Sequence, residues 1–309
     1  MRKNAWVICC CTAVLAAFGT FFRWLQDQVC FEAETGLAVR GSIWPYAVAL
    51  MIVIAAVVLA VVCFRMKNQP HTSFPDSLPA AFVAAPRVRT IGGVVLGALL
   101  AVGGAWLMIS SGTLSSPGLQ RVLAVLAIVT GAAFIWQMLS IGNGGATSGT
   151  VVCASMPIVL LAFWLIVSYK VNIINPTVSA YAVEILALCA ALIAFYQLAG
   201  FAYGRPKAIK SIFWSQFAAF LCITALPDDR AGAQQLMLAA IAGAVAASQS
   251  GPDVQAGIPA EVVAAIAGAI ACMGAPEGVK YTLRAVRRAG IGGRSAWASA
   301  GVAANTEPF

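Results

Sequence analysis

Long apolar stretches broken by short polar segments set the pattern of this chain. Eight of them read as membrane-crossing helices: residues 5–22, 44–64, 91–110, 122–141, 151–169, 180–203, 211–226 and 232–248. About 20 apolar residues in a helix cover the hydrocarbon layer of a bilayer. The stretches 211–226 and 232–248 are the weaker two, being short and, in the second, rich in alanine. A further apolar run, 258–275, carries Glu261 and many alanines. The pattern predicts an all-α fold, a polytopic transmembrane helix bundle of about eight spans.

Basic residues orient this bundle. With the N-terminus inside, 14 of the 19 lysines and arginines fall on cytoplasmic segments, as the positive-inside rule requires. Were 258–275 a ninth span, the split would become 9 inside and 10 outside, and the bias would vanish. That run is therefore read as re-entrant or packed from the cytoplasmic side, with a ninth span as the competing reading. Residues 1–279 form the bundle, and 280–309 form a basic cytoplasmic helix followed by a disordered tail. Both termini are expected in the cytoplasm and the chain in a bacterial plasma membrane. The first run follows a basic Met1-Arg2-Lys3 start, but it continues through Phe21 and Phe22 into Arg23 without a small-residue cleavage site, so it reads as a retained helix.

Composition sharpens this. The 309 residues are 61% hydrophobic and only 10% charged, with a mean hydropathy of +0.88. A water-facing surface needs far more charge, which excludes a soluble enzyme, a disulfide-stapled secreted domain and a nucleic-acid reader. The net charge of +8 is explained by basic loops beside anionic lipid. Of nine cysteines, only Cys30 lies in a stretch that reads as a polar loop. The rest sit in apolar runs and read as small core fillers. With His71 the one histidine, no cofactor or metal is expected.

Small residues four apart predict close helix packing. The third stretch contains Gly93-x-x-x-Gly97, then Ala101, Gly103 and Gly104; the eighth contains Ala239-x-x-x-Gly243-x-x-x-Ala247. Whether the partner helix is in the same chain or a second copy stays open. Residues 238–246 and 263–271 also repeat at an offset of 25, either a duplicated hairpin or shared alanine bias. Trp44, Trp106, Trp136, Trp164, Tyr169, Tyr203 and Trp214 fall near the ends of their runs, as interfacial aromatics do.

One charge stands out. Glu184 is the acidic residue inside a confident span, one to two turns into the sixth helix. An ionisable group there costs several kcal/mol unless it is paired, hydrated or protonated. At helical spacing it shares a face with Tyr181, Ala187, Leu188 and Ala191. Lys170, in the loop before that helix, is within reach to neutralise it, and headgroup water is the other partner in reach. Glu184, Tyr181 and Lys170 are thus the candidate binding residues, lining a solute path in one reading and forming an interfacial ion pair in the other. Near the C-terminus, Lys280, Arg284, Arg287 and Arg288 share one face of a short helix, the expected contact with anionic lipid of the inner leaflet.

Arg23-Trp24-Leu25-Gln26, followed by Phe31-Glu32-Ala33-Glu34-Thr35-Gly36-Leu37, resembles a pattern in uncharacterised multi-span membrane proteins of Gram-positive anaerobic bacteria. The resemblance covers residues 23–37 and implies a bacterial membrane and no activity. Together these features predict a non-catalytic membrane component: an accessory subunit, scaffold or sensor, partnered by lipid and by another membrane protein or a second copy, with no nucleic acid. The alternative is a permease or channel for a small neutral or apolar solute, with Glu184 lining the path. No catalytic constellation accompanies the lone carboxylate and loop histidine, so the chain does not read as an enzyme.

Overall fold

The computed structural model describes residues 2–31, 42–67, 86–114, 116–142, 148–173, 178–203, 207–228 and 230–247, all within a compact unit that spans 1–251. Expectations for 258–275, for the repeat at 263–271, for Lys280, Arg284, Arg287 and Arg288, and for the tail lie outside the described residues.

Eight helices carry the described chain: α1 (Arg2–Cys30), α2 (Trp44–Lys67), α3 (Pro86–Ser110), α4 (Pro117–Gly142), α5 (Ser148–Asn172), α6 (Val178–Ala202), α7 (Ala208–Thr224) and α8 (Gly232–Ala247). A single 3-10 turn, Ser111–Thr113, links α3 to α4. Prolines open α3 and α4, where the missing N–H costs nothing. Six helices, α1 to α6, are long and apolar enough to cross a membrane. The protein is an integral, multi-pass membrane protein with an all-α fold.

The last two expected spans differ from that pattern. With 17 and 16 residues, α7 and α8 extend only about 25 Å, short of the hydrocarbon thickness. Their surroundings explain how this is tolerated. α7 packs on α1, α2, α6 and α8, and α8 packs on α3, α6 and α7. Most of α7 is buried in protein, so the bundle rather than lipid sets its length. Pro227 lies three residues beyond Thr224, the end of α7, and prevents continuation.

Helices consecutive in sequence run antiparallel, whereas α1 and α7 run parallel. At one end Thr20 of α1 donates to the Ile223 carbonyl of α7, 3.2 Å away. At the other, Ile8, Cys63 and Ile212 bring together the start of α1, the end of α2 and the start of α7. The odd-numbered helices finish at the first end and the even-numbered ones at the second. Charge divides the same way. Among the described residues, the second end carries Arg2, Lys3, Arg65, Lys67, Arg87, Arg89, Lys207 and Lys210 and no carboxylate. Asp27, Glu184 and Asp228 all lie toward the first end.

The glycine pattern settles its partner within the chain. A Cβ on Gly97 would stand 2.9 Å from the Gly131 carbonyl, and one on Gly131 would stand 2.6 Å from the Gly97 carbonyl. Gly93 meets Met138 and Gly104 meets the Ala124 backbone, so three of the five α3 glycines face α4. Gly103 faces Met237 of α8, and Gly243 of α8 faces Leu96 of α3. Outward faces of α2 (Leu50, Val53, Val57, Val61) and α4 (Val122, Val125, Val129, Trp136) are apolar and exposed, as a lipid solvent demands. Trp164 departs from the aromatic-belt expectation: it is 1% exposed and lies in the central core.

A buried ion quartet as the candidate functional site

Four charged side chains meet inside the first end of the bundle. Arg23 comes from α1, Glu184 from α6, and Asp228 and Arg230 from the turn between α7 and α8. The turn is sunk into the protein. Arg23 precedes the end of α1 by seven residues and Glu184 follows the start of α6 by six, which places the quartet roughly 10 Å below the ends of these helices. The shortness of α7 and α8 makes this room.

Asp228 is the hub. Its Oδ1 accepts from Arg23 Nε at 2.6 Å and its Oδ2 from Arg230 Nη2 at 2.6 Å. Its carbonyl accepts from Gln235 Nε2 at 3.2 Å. Arg23, 1% exposed, spends its remaining nitrogens on Gln26 Oε1 at 2.9 Å and the Ala180 carbonyl at 2.6 Å. One guanidinium thus ties α1 to α6 and to the α7–α8 turn. Arg230 Nε lies 3.3 Å from Glu184 Oε2, and Ser168 of α5 is the hydroxyl neighbour of that carboxylate. Two guanidinium groups face two carboxylates, so the quartet is charge-balanced. Buried charges are tolerated only with that kind of pairing and hydrogen bonding.

Arg230 is the least satisfied member. Its Nη1 and Nε make no hydrogen bond although the side chain is 95% buried. The Glu184 contact at Nε is one of charge without hydrogen-bond geometry. The positive end of α8 begins two residues later at Gly232, and Trp106 of α3 covers that glycine.

The expected site residues are only partly brought together. Glu184 is buried within the protein, and its ion pair is with Arg230. Lys170 is exposed at the end of α5, and the expected Lys170–Glu184 pair is corrected: the long lysine reaches water freely, whereas Arg230 is held in place by Asp228. Tyr181 is half-buried one turn before Glu184. Arg23 overturns a second expectation. The segment from Arg23 onward reads as a polar outer loop, yet α1 continues to Cys30, which is itself buried with its Sγ 2.8 Å from Ser42 Oγ. Polar residues are accommodated there because Arg23 and Gln26, three apart, face the protein rather than lipid. The signal was the i, i+3 spacing of Arg23 and Gln26 on a helix that nothing in the sequence terminates.

Two small cavities lie elsewhere in the bundle. Among the described residues, a cavity of about 20 Å³ lies between Leu96, Phe134, Pro157, Leu161, Phe195 and Ala244, with room for one water. A neighbouring one of about 10 Å³ reaches Gln137. No group of three or more His, Cys, Asp or Glu with metal-binding geometry occurs among the described residues. Comparison of the chain with known protein families, curated proteins and solved structures returns no match.

Proposed function

We propose that this protein is a non-catalytic component of a bacterial plasma membrane, an accessory subunit, scaffold or sensor that acts by association. The quartet carries this reading. Its carboxylates are engaged by guanidinium groups in a geometry that fixes helices, with Asp228 bonded on both oxygens. Such pairing holds α1, α6 and the α7–α8 turn in one arrangement. The cavities beside Pro157 are small, which supports the same reading, because neither has room for a solute.

In this proposal the N-terminus is cytoplasmic. The end that carries Arg65, Lys67, Lys207 and Lys210 without a described carboxylate would face the anionic inner leaflet, and the quartet would lie toward the outer face. The lipid-contact role of Lys280, Arg284, Arg287 and Arg288 belongs to the same orientation.

Purification of the tagged protein in mild detergent, followed by sizing and identification of co-purifying chains, tests the reading. A stoichiometric membrane-protein partner is the expected result. A lone monomer that supports solute flux in liposomes would overturn it in favour of a permease. The under-bonded Arg230 beside Glu184 is the observation that favours this second reading. Flux that survives Glu184→Gln would remove Glu184 from the path.

A further inference from the structure

We propose that the Glu184–Arg230 arm of the quartet is a binding site for a small zwitterion, a molecule of the amino-acid type with one carboxylate and one ammonium. Three observations lead there. Arg230 Nη1 has no hydrogen-bond partner in a side chain that is 95% buried, and Nε has only the Glu184 charge beside it. A donor left in that state costs free energy that an acceptor oxygen would recover. The Arg23–Asp228 arm, by contrast, is closed: every Arg23 nitrogen and both Asp228 carboxylate oxygens are engaged. Glu184 is the least buried of the four side chains at 11% exposed, so the open arm is also the less enclosed one.

Charge selects the class of ligand. Two guanidinium groups already balance two carboxylates. A bound anion would leave one uncompensated negative charge in a buried site, and a bound cation one positive charge, each heavily penalised. A zwitterion adds none. Its carboxylate would accept from Arg230 Nη1 and Nε, and its ammonium would donate to the Glu184 carboxylate, which gives up a 3.3 Å contact that is not a hydrogen bond. The first turn of α8, opening at Gly232, adds a positive helix end beside the ligand carboxylate. The ligand is accommodated by separating Glu184 from Arg230, while Asp228 keeps Arg230 in place. A component that senses such a solute fits the proposed function, but the site stands on its own geometry.

Equilibrium dialysis of the purified full chain in mild detergent against labelled glycine, acetate and acetamide tests this. Saturable binding of glycine, at least tenfold tighter than that of acetate or acetamide, is the expected result. Arg230→Lys retains the charge but lacks Nη1, and should lose at least tenfold in glycine affinity. Glu184→Gln makes the quartet net positive and should reverse the preference, so that acetate binds better than glycine. That reversal is not a consequence of a merely structural Glu184. Equal binding of the three probes, no saturable binding by a protein that is monodisperse and cooperatively folded, or glycine binding unchanged in Arg230→Lys would each overturn the site. These outcomes leave the co-purification test untouched, because a partner can be present with or without the ligand.

Discussion

Asp228 is where the bundle is most exposed to a single substitution. Both of its carboxylate oxygens hold a guanidinium that is almost wholly buried. Removing one member of a buried pair leaves an uncompensated charge, at a cost of about 3–5 kcal/mol. Asp228→Asn and Arg23→Met should each destabilise the protein by about this amount in reversible unfolding from mixed micelles. The double variant Arg23→Met with Asp228→Leu should recover part of the loss, because the charges leave together. Glu184→Gln should cost less, about 1–3 kcal/mol, since its contact with Arg230 lacks hydrogen-bond geometry and the Arg23–Asp228 link survives. An Asp228 variant as stable as the native chain would show that the quartet is not the lock described. Of these four residues the sequence singles out only Glu184. Arg23 and Arg230 pass for loop charges because both lie beside apolar runs, and hydropathy sees a run's edge without seeing which way a helix face points. Lys170 is nearer in sequence to Glu184 than Arg230 is, but proximity along the chain says nothing about which cation the α7–α8 turn inserts.

At the scale of helices, the α3–α4 pair is the tightest joint, and glycine makes it so. Gly97 and Gly131 cross with backbone against backbone, the small-residue contact that membrane helices use in place of a hydrophobic driving force. Gly131→Val would drive side-chain atoms into the Gly97 carbonyl and Ala101 and should destabilise by about 1–3 kcal/mol. Gly92→Ala is the control: nothing lies within 4 Å of a Cβ there, and replacing a helical glycine with alanine should stabilise by about 0.5–1 kcal/mol. Unfolding measured on the two variants checks both signs, and a neutral Gly131→Val would mean that α3 and α4 separate freely. This joint was legible in advance, because four-residue spacing of glycine has one physical use in an apolar helix; only the identity of the partner was missing. The helix lengths were less legible. Residues 211–226 and 232–248 have the composition of spans, yet α7 and α8 stop short, and what permits this is the ring of α1, α2, α3 and α6 around them. Tertiary burial of that kind leaves no mark in a hydropathy profile. Trp164 went to the core for the same reason.

For the whole molecule, the separation of charge between its ends makes a claim about orientation. The Lys207 end carries the eight basic residues named and no carboxylate among the described residues, whereas the other end carries all three described carboxylates beside Arg23, Arg121, Lys170 and Arg230. Each basic group near an anionic leaflet contributes roughly 1 kcal/mol, so a reversed insertion would forfeit several kcal/mol and set the quartet end against a surface to which it has little net attraction. Lys170, exposed at the quartet end, and Lys207, exposed at the opposite end, are reporters that should leave the fold undisturbed. In a cysteine-free background, a membrane-impermeant maleimide applied to intact cells should modify Lys170→Cys and spare Lys207→Cys. Inside-out vesicles should give the opposite pattern. Modification of both variants from one side would mean that α6 does not cross, which its 25 residues of almost unbroken apolar sequence argue against. The reverse pattern would put the quartet on the cytoplasmic side, and the ligand that Arg230 and Glu184 are arranged to hold would then be an internal solute rather than an external one.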